Sequence, residues 1–135
     1  MGDALTPELV VNFACAFGAY CDKGTVIVGR DTRPSSVMMR SAVHTGLIGS
    51  GSEAVDIGVC TTPAVSHAVR DTGASGGISV TGSHNDARWN ALKFIGPDGA
   101  LLNAANTEEV LDIYHASAYV RAPWSAIRRV RDGSD

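Results

Sequence analysis

Three short segments, the apolar Val26-Ile27-Val28, Val55 to Val59 and the short apolar Ile78 to Val80, read as strands, and apolar residues at helical spacing precede each of them. The first run carries no polar residue among its β-branched ones. A strand that alternates is half-exposed; one that does not is covered on both faces. Such strands need helices above and below the sheet, and the intervening sequence supplies them. The order of helices and strands therefore predicts an α/β domain with a mostly parallel sheet.

The first helix is predicted from about Thr6 to Cys21. Leu9, Phe13, Phe17 and Tyr20 give its periodicity, and Thr6-Pro7-Glu8 supplies a cap, a first-turn proline and an early acid. After the turn Gly29 to Pro34, Ser35 and Ser36 are read as the cap of a second helix through Met39, Val43 and Leu47 that stops at Gly49 to Gly51. Thr61-Thr62-Pro63 starts a third helix, ending near Gly73. A fourth strand, Ala91 to Ile95, follows the third after only about ten residues, too few for a helical crossover, so it is expected to be antiparallel. Thr107-Glu108-Glu109 is read as the cap of a last helix, and residues 120–135, with Arg121, Arg128, Arg129 and Arg131, as a weakly patterned interdomain tail. The expected fold is a single three-layer α/β/α domain with a mixed, mostly parallel four-stranded sheet, its last strand antiparallel.

Composition narrows the partners. The chain has 135 residues, 44% of them hydrophobic, enough to bury a core without a disulfide or metal staple. Three cysteines, Cys15, Cys21 and Cys60, form no CxxC pair, and their odd number reads as reduced thiols of a cytoplasmic protein, with zinc unfavoured. A net charge of −3, with no basic stripe before residue 120, argues against nucleic acid as the partner. The apolar runs are too short to span a membrane and the N-terminus lacks a basic, apolar export pattern.

The richest candidate for chemistry is Ile78-Ser79-Val80-Thr81-Gly82-Ser83-His84-Asn85, where an apolar strand runs into a loop dense in polar groups. Loops at the ends of buried strands are where α/β folds place their sites. Ser83 offers a hydroxyl, His84 a proton carrier and Asn85 an orienting amide, while the plain alternative is a turn whose polar side chains satisfy the local backbone. A serine-hydrolase triad is excluded because Ser83 and His84 are adjacent, and the GxSxG elbow fails at Asn85. Lys93 is the one charged residue among Ala91, Leu92, Phe94 and Ile95; it either points to a surface face of its strand or toward the site. Gly49 to Ala54 matches GxGxxA, but it follows a helix and precedes a strand, the reverse of the dinucleotide-binding order.

Val28-Gly29-Arg30-Asp31-Thr32-Arg33-Pro34-Ser35-Ser36, Thr81-Gly82-Ser83-His84-Asn85 and Asn90-Ala91-Leu92-Lys93-Phe94, taken together and in this order, resemble the N-terminal domain of the α-D-phosphohexomutases, the phosphoglucomutases, phosphomannomutases and phosphoglucosamine mutases. The resemblance runs from about Leu5 to Leu102. It implies that Ser83 carries a phosphoryl group, that His84 and Asn85 flank it, and that Lys93 moves the proton of the sugar hydroxyl. Thr81, Arg30, Asp31 and Arg33 are implied to bind substrate or support the loop. It further implies Mg²⁺, touched on this chain only through the phosphate on Ser83, a hexose phosphate as substrate, and further domains of the same enzyme as partners.

The sequence departs from the family at Asp86, where many members have proline, and at Ala91, where they have glycine. The acidic metal loop, the sugar-specificity loop and the C-terminal phosphate-binding loop are not found in these 135 residues. The expected identity is thus the first domain of a phosphohexomutase, interconverting hexose 1- and 6-phosphates through a bisphosphorylated intermediate but inactive by itself. The competing expectation is a stand-alone binding or structural module of the same fold.

Overall fold

The computed structural model describes residues 6–81, 91–119 and 121–133. Along them run α1 (Pro7–Tyr20), β1 (Thr25–Arg30), α2 (Pro34–Gly49), β2 (Glu53–Val59), α3 (Thr62–Thr72), β3 (Gly76–Thr81), β4 (Ala91–Ile95), α4 (Ala104–Ala116) and β5 (Val130–Asp132). The strands form one sheet in the order β4-β3-β1-β2-β5. β2 and β3 flank β1 in parallel, β5 runs parallel to β2, and β4 is antiparallel to β3 as its short connection requires.

Pleating explains the unbroken apolar run of β1. Val26, Val28, Ile78 and Val80 point into one core with Val10, Ala14 and Phe17 of α1, Met39, Val43 and Leu47 of α2, and Val110 of α4. Ile27, Val55 and Ile95 point the other way, onto Val65 and Val69 of α3. Every position of β1 between its ends is buried, so no residue there could be polar without losing its solvation. The layers are unequal: three helices lie on one face and α3 on the other.

The termini of α1 and α3 follow the sequence. Thr6 caps α1 by accepting the Leu9 N–H, Thr61 caps α3 by accepting the Ala64 N–H, and Gly73 closes α3 in the left-handed conformation at φ +71°. Three expectations need correction. Ser35 and Ser36 do not cap α2: Arg33 occupies the cap position, Pro34 opens the helix, and Ser36 is fully buried with its hydroxyl turned to Asp31. The last helix begins earlier than Thr107, because Asn103 accepts the Asn106 N–H at 2.8 Å and sets the start at Ala104. The sheet has five strands rather than four. Val130 to Asp132 pair with Ala54 to Asp56, Gly133 donates to the Asp56 carbonyl at 2.8 Å, and Arg131 meets Glu53 at 3.2 Å. A three-residue, exposed strand carries no periodicity to read, which is why sequence pattern missed it.

α1 and α2 touch at Gly46. A methyl group there would meet the Val11 carbonyl oxygen and lie 2.7 Å from the Ala14 Cβ, whereas Gly49, at the end of the same helix, faces open space. Gly46→Ala is expected to cost roughly 1–3 kcal/mol by forcing the helices apart, and Gly49→Ala to be neutral or slightly stabilising, as read from urea midpoints at constant m-value.

Candidate functional site

Parallel strands share a direction, so the ends of β1, β2 and β3 emerge along one edge of the sheet, where open α/β sheets bind ligands. Arg30 ends β1, Thr81 ends β3, and the turns into α2 and α3 begin between them. The Cys60 N–H donates to the Arg30 carbonyl at 2.9 Å, drawing the start of α3 against the end of β1. Arg30 turns its guanidinium to the Asp31 carbonyl at 3.0 Å, and its Nε is buried with no hydrogen-bond partner among the described residues.

Asp31 is where these segments join. Its Oδ1 accepts the Arg33 backbone N–H at 3.0 Å and the Ser36 hydroxyl; its Oδ2 accepts the Thr81 hydroxyl at 3.3 Å and lies 3.9 Å from Arg33 Nε. Its own N–H donates to the Val80 carbonyl at 3.0 Å. A carboxylate placed ahead of a proline-opened helix satisfies N–H groups that have no intrahelical partner, the same service a capping serine would give. Ser36, which was not anticipated as part of the site, was detectable only through its spacing from Asp31.

Register settles which face Lys93 takes. It stands opposite Ser79 in the β3–β4 pair, and directly opposed residues share a face. Ser79 is buried, and its hydroxyl lies 2.9 Å from that of Thr62 in the first turn of α3. Lys93 is therefore half-buried on the α3 side, one pair removed along that face from the Thr81–Ala91 pair at the end of β3. The Ser79–Thr62 pairing was also missed, since Thr62 was read only as part of a helix start and Ser79 only as part of a strand. Of the expected site residues, the structure gathers Arg30, Asp31, Arg33 and Thr81 at one edge and places Lys93 on the adjoining strand. Ser83, His84 and Asn85 lie outside the described residues.

Residues 1–121 match the model of the phosphoglucomutase/phosphomannomutase α/β/α domain I. The chain belongs to this family. It is 42% identical over 112 residues to a phosphoglucosamine mutase of Macrococcus caseolyticus, covering 78% of this chain and 25% of that protein. It is 32% identical over 134 residues to a phosphoglucomutase/phosphomannomutase of Thermococcus kodakarensis, covering 96% and 29%. Among solved structures, a phosphoglucomutase/phosphomannomutase family protein of Burkholderia thailandensis superposes with a TM-score of 0.81 at 23% identity, covering 95% of this chain and 29% of that one, which bears out the fold. The chain spans under a third of the length of the relatives it matches. As a phosphohexomutase domain I it shares the family's α/β architecture, with one antiparallel strand beside the parallel ones.

No helix among the described residues is long and apolar enough to cross a membrane. All three cysteines are free. Burial pushes the Cys21 thiol up to about 12 and also raises Cys15 and Cys60. Only Cys60, at the strand-end edge beside Arg30, is appreciably exposed. Iodoacetamide at pH 8 is expected to label Cys60 well before Cys15 or Cys21 in the native protein; intact-mass and peptide mapping check this, and equal labelling would contradict the burial described.

Proposed function

We propose that this domain supplies the phosphoryl-carrying serine of a phosphohexomutase, with Ser83 as the carrier. The observation that carries the reading is the family match over residues 1–121, supported by the convergence of the Arg30–Arg33 turn, Thr81 and the Lys93 strand at the edge where α/β folds bind ligands. A serine that stores the group covalently divides one exchange between two sugar positions into two transfers. In the first, the bond from phosphorus to Ser83 Oγ breaks as one forms to a sugar hydroxyl oxygen, and Ser83 Oγ takes up a proton, giving a bisphosphorylated hexose. In the second, the bond from the other phosphorus to its sugar oxygen breaks as one forms to Ser83 Oγ, and that sugar oxygen takes up a proton. Each accepting hydroxyl must lose its proton, and Lys93 receives it in the first transfer. His84 and Asn85 flank the carrier, and Arg30 and Arg33 supply positive charge near the phosphate.

Mg²⁺ would neutralise charge on the transferring group. The described residues do not make a site for it: they contain no cluster of three or more His, Cys, Asp or Glu side chains suited to a metal, and the Asp31 carboxylate is taken up by Ser36, Thr81 and the Arg33 N–H. The contact proposed for this chain is a phosphate on Ser83. The proposed substrate is a hexose phosphate, and the proposed partners are domains corresponding to the remaining length of the relatives, without which these 135 residues do not turn over.

In a turnover-competent protein carrying this domain, Ser83→Ala is expected to abolish mutase activity; unchanged activity would remove Ser83 as the carrier. Lys93→Met is expected to lower kcat by about 10²–10⁴-fold, the usual worth of a general acid or base, with KM little altered. A change confined to KM would count against the proton-transfer role.

A further inference from the structure

We propose that Asp31 is a positioning residue. Its carboxylate ties Thr81, the last residue of β3, to the first turn of α2, and so orients the end of β3, two residues before Ser83 in the sequence. The inference rests on the reading of Ser83 as the phosphoryl carrier, but its physical content is independent of that reading.

Three features carry it. The tie crosses 50 residues of sequence yet joins two segments at the same edge of the sheet, through a charged acceptor that holds hydroxyls from both sides: Ser36 from α2 and Thr81 from β3. It is doubled on the β3 side, because the Asp31 N–H holds the Val80 carbonyl while the carboxylate holds the next residue's side chain. It is braced on the α2 side, because Ser36 is fully buried and the Arg33 N–H binds the same carboxylate oxygen as the Ser36 hydroxyl. A carboxylate held at several points cannot swing to follow Thr81, so Thr81 must follow it. Backbone pairing already fixes β3 against β1 as far as Arg30↔Val80. Thr81 lies one residue beyond that pairing, where its hydroxyl bonds to Asp31 while its backbone pairs with Ala91.

A tie that positions rather than merely stabilises acts locally, which amide hydrogen exchange on the full 135-residue chain can read. Thr81→Val keeps the side-chain shape and removes the hydroxyl. It is expected to speed exchange of the amides from residue 81 to 91 roughly threefold to tenfold, the range of one lost hydrogen bond, while the amides of Val26 to Val28 and Ile78 keep their rates. Thr81→Ser retains the hydroxyl and should restore the wild-type pattern. Asp31→Asn, which weakens the acceptor without removing it, should fall between. The proposal is overturned if residues 82–90 already exchange at the unprotected rate in the wild type, if Thr81→Val and Asp31→Asn leave these amides unchanged, or if core and loop amides speed up together. In a turnover assay on a longer protein carrying the domain, Thr81→Val should lower kcat with KM unchanged and Thr81→Ser should recover it; altered exchange with kcat intact would leave a fold contact and sink the positioning role. Failure of wild-type Ser83 to take up a phosphoryl group would instead sink the functional reading while leaving the exchange result standing.

Discussion

The burial of β1 on both faces and along both edges is the constraint from which the rest follows. Its interior residues have no access to water, so they must be apolar, and its neighbours must supply every backbone partner. Because β2 and β3 flank it in the same direction, the strand ends collect at one edge, and the polar residues that the core excludes are displaced there. The abrupt change from Val28 to Arg30-Asp31 and from Val80 to Thr81 is the sequence record of that boundary.

A charged group at such an edge is useful only if its partners are placed in advance. Asp31 retains about a quarter of its side-chain exposure, so its hydrogen bonds are made partly out of water and gain from the lower local dielectric. The result couples a turn, a helix start and a strand end into one unit. On the opposite side of the sheet, covered by α3, the hydroxyls of Thr62 and Ser79 meet on the face that carries Lys93. The two faces thus meet the same edge with different means, a carboxylate hub on one side and a hydroxyl pair on the other.

Most of this architecture was legible in the sequence because burial writes a strong pattern. Helical spacing gave α1 to within a residue of its ends, and the ten-residue interval gave the antiparallel β4. What failed to read was whatever depended on a partner far along the chain. Ser35 and Ser36 looked like caps because capping is a local property, whereas the carboxylate that receives the Ser36 hydroxyl is identified only when the helix is packed. The exposed β5 borrows its stability from β2 and shows no period of its own. At the candidate site, Arg30, Asp31, Arg33 and Lys93 were singled out through the family resemblance, but the face of Lys93 required the strand register, and the contacts of Thr62, Ser79 and Ser36 with distant partners could not be read from their local sequence.

In the proposed function, a phosphorylated sugar meets the edge formed by Arg30 to Arg33, Thr81 and the β4 strand. Titrating a hexose 6-phosphate into ¹⁵N-labelled protein and following backbone amide shifts tests this. The perturbed amides are expected to cluster at residues 30–36, 60–62 and 81–93. Perturbations gathered instead at the opposite edge, around Thr25, Glu53 and Gly73, or no shifts at millimolar ligand, would contradict it.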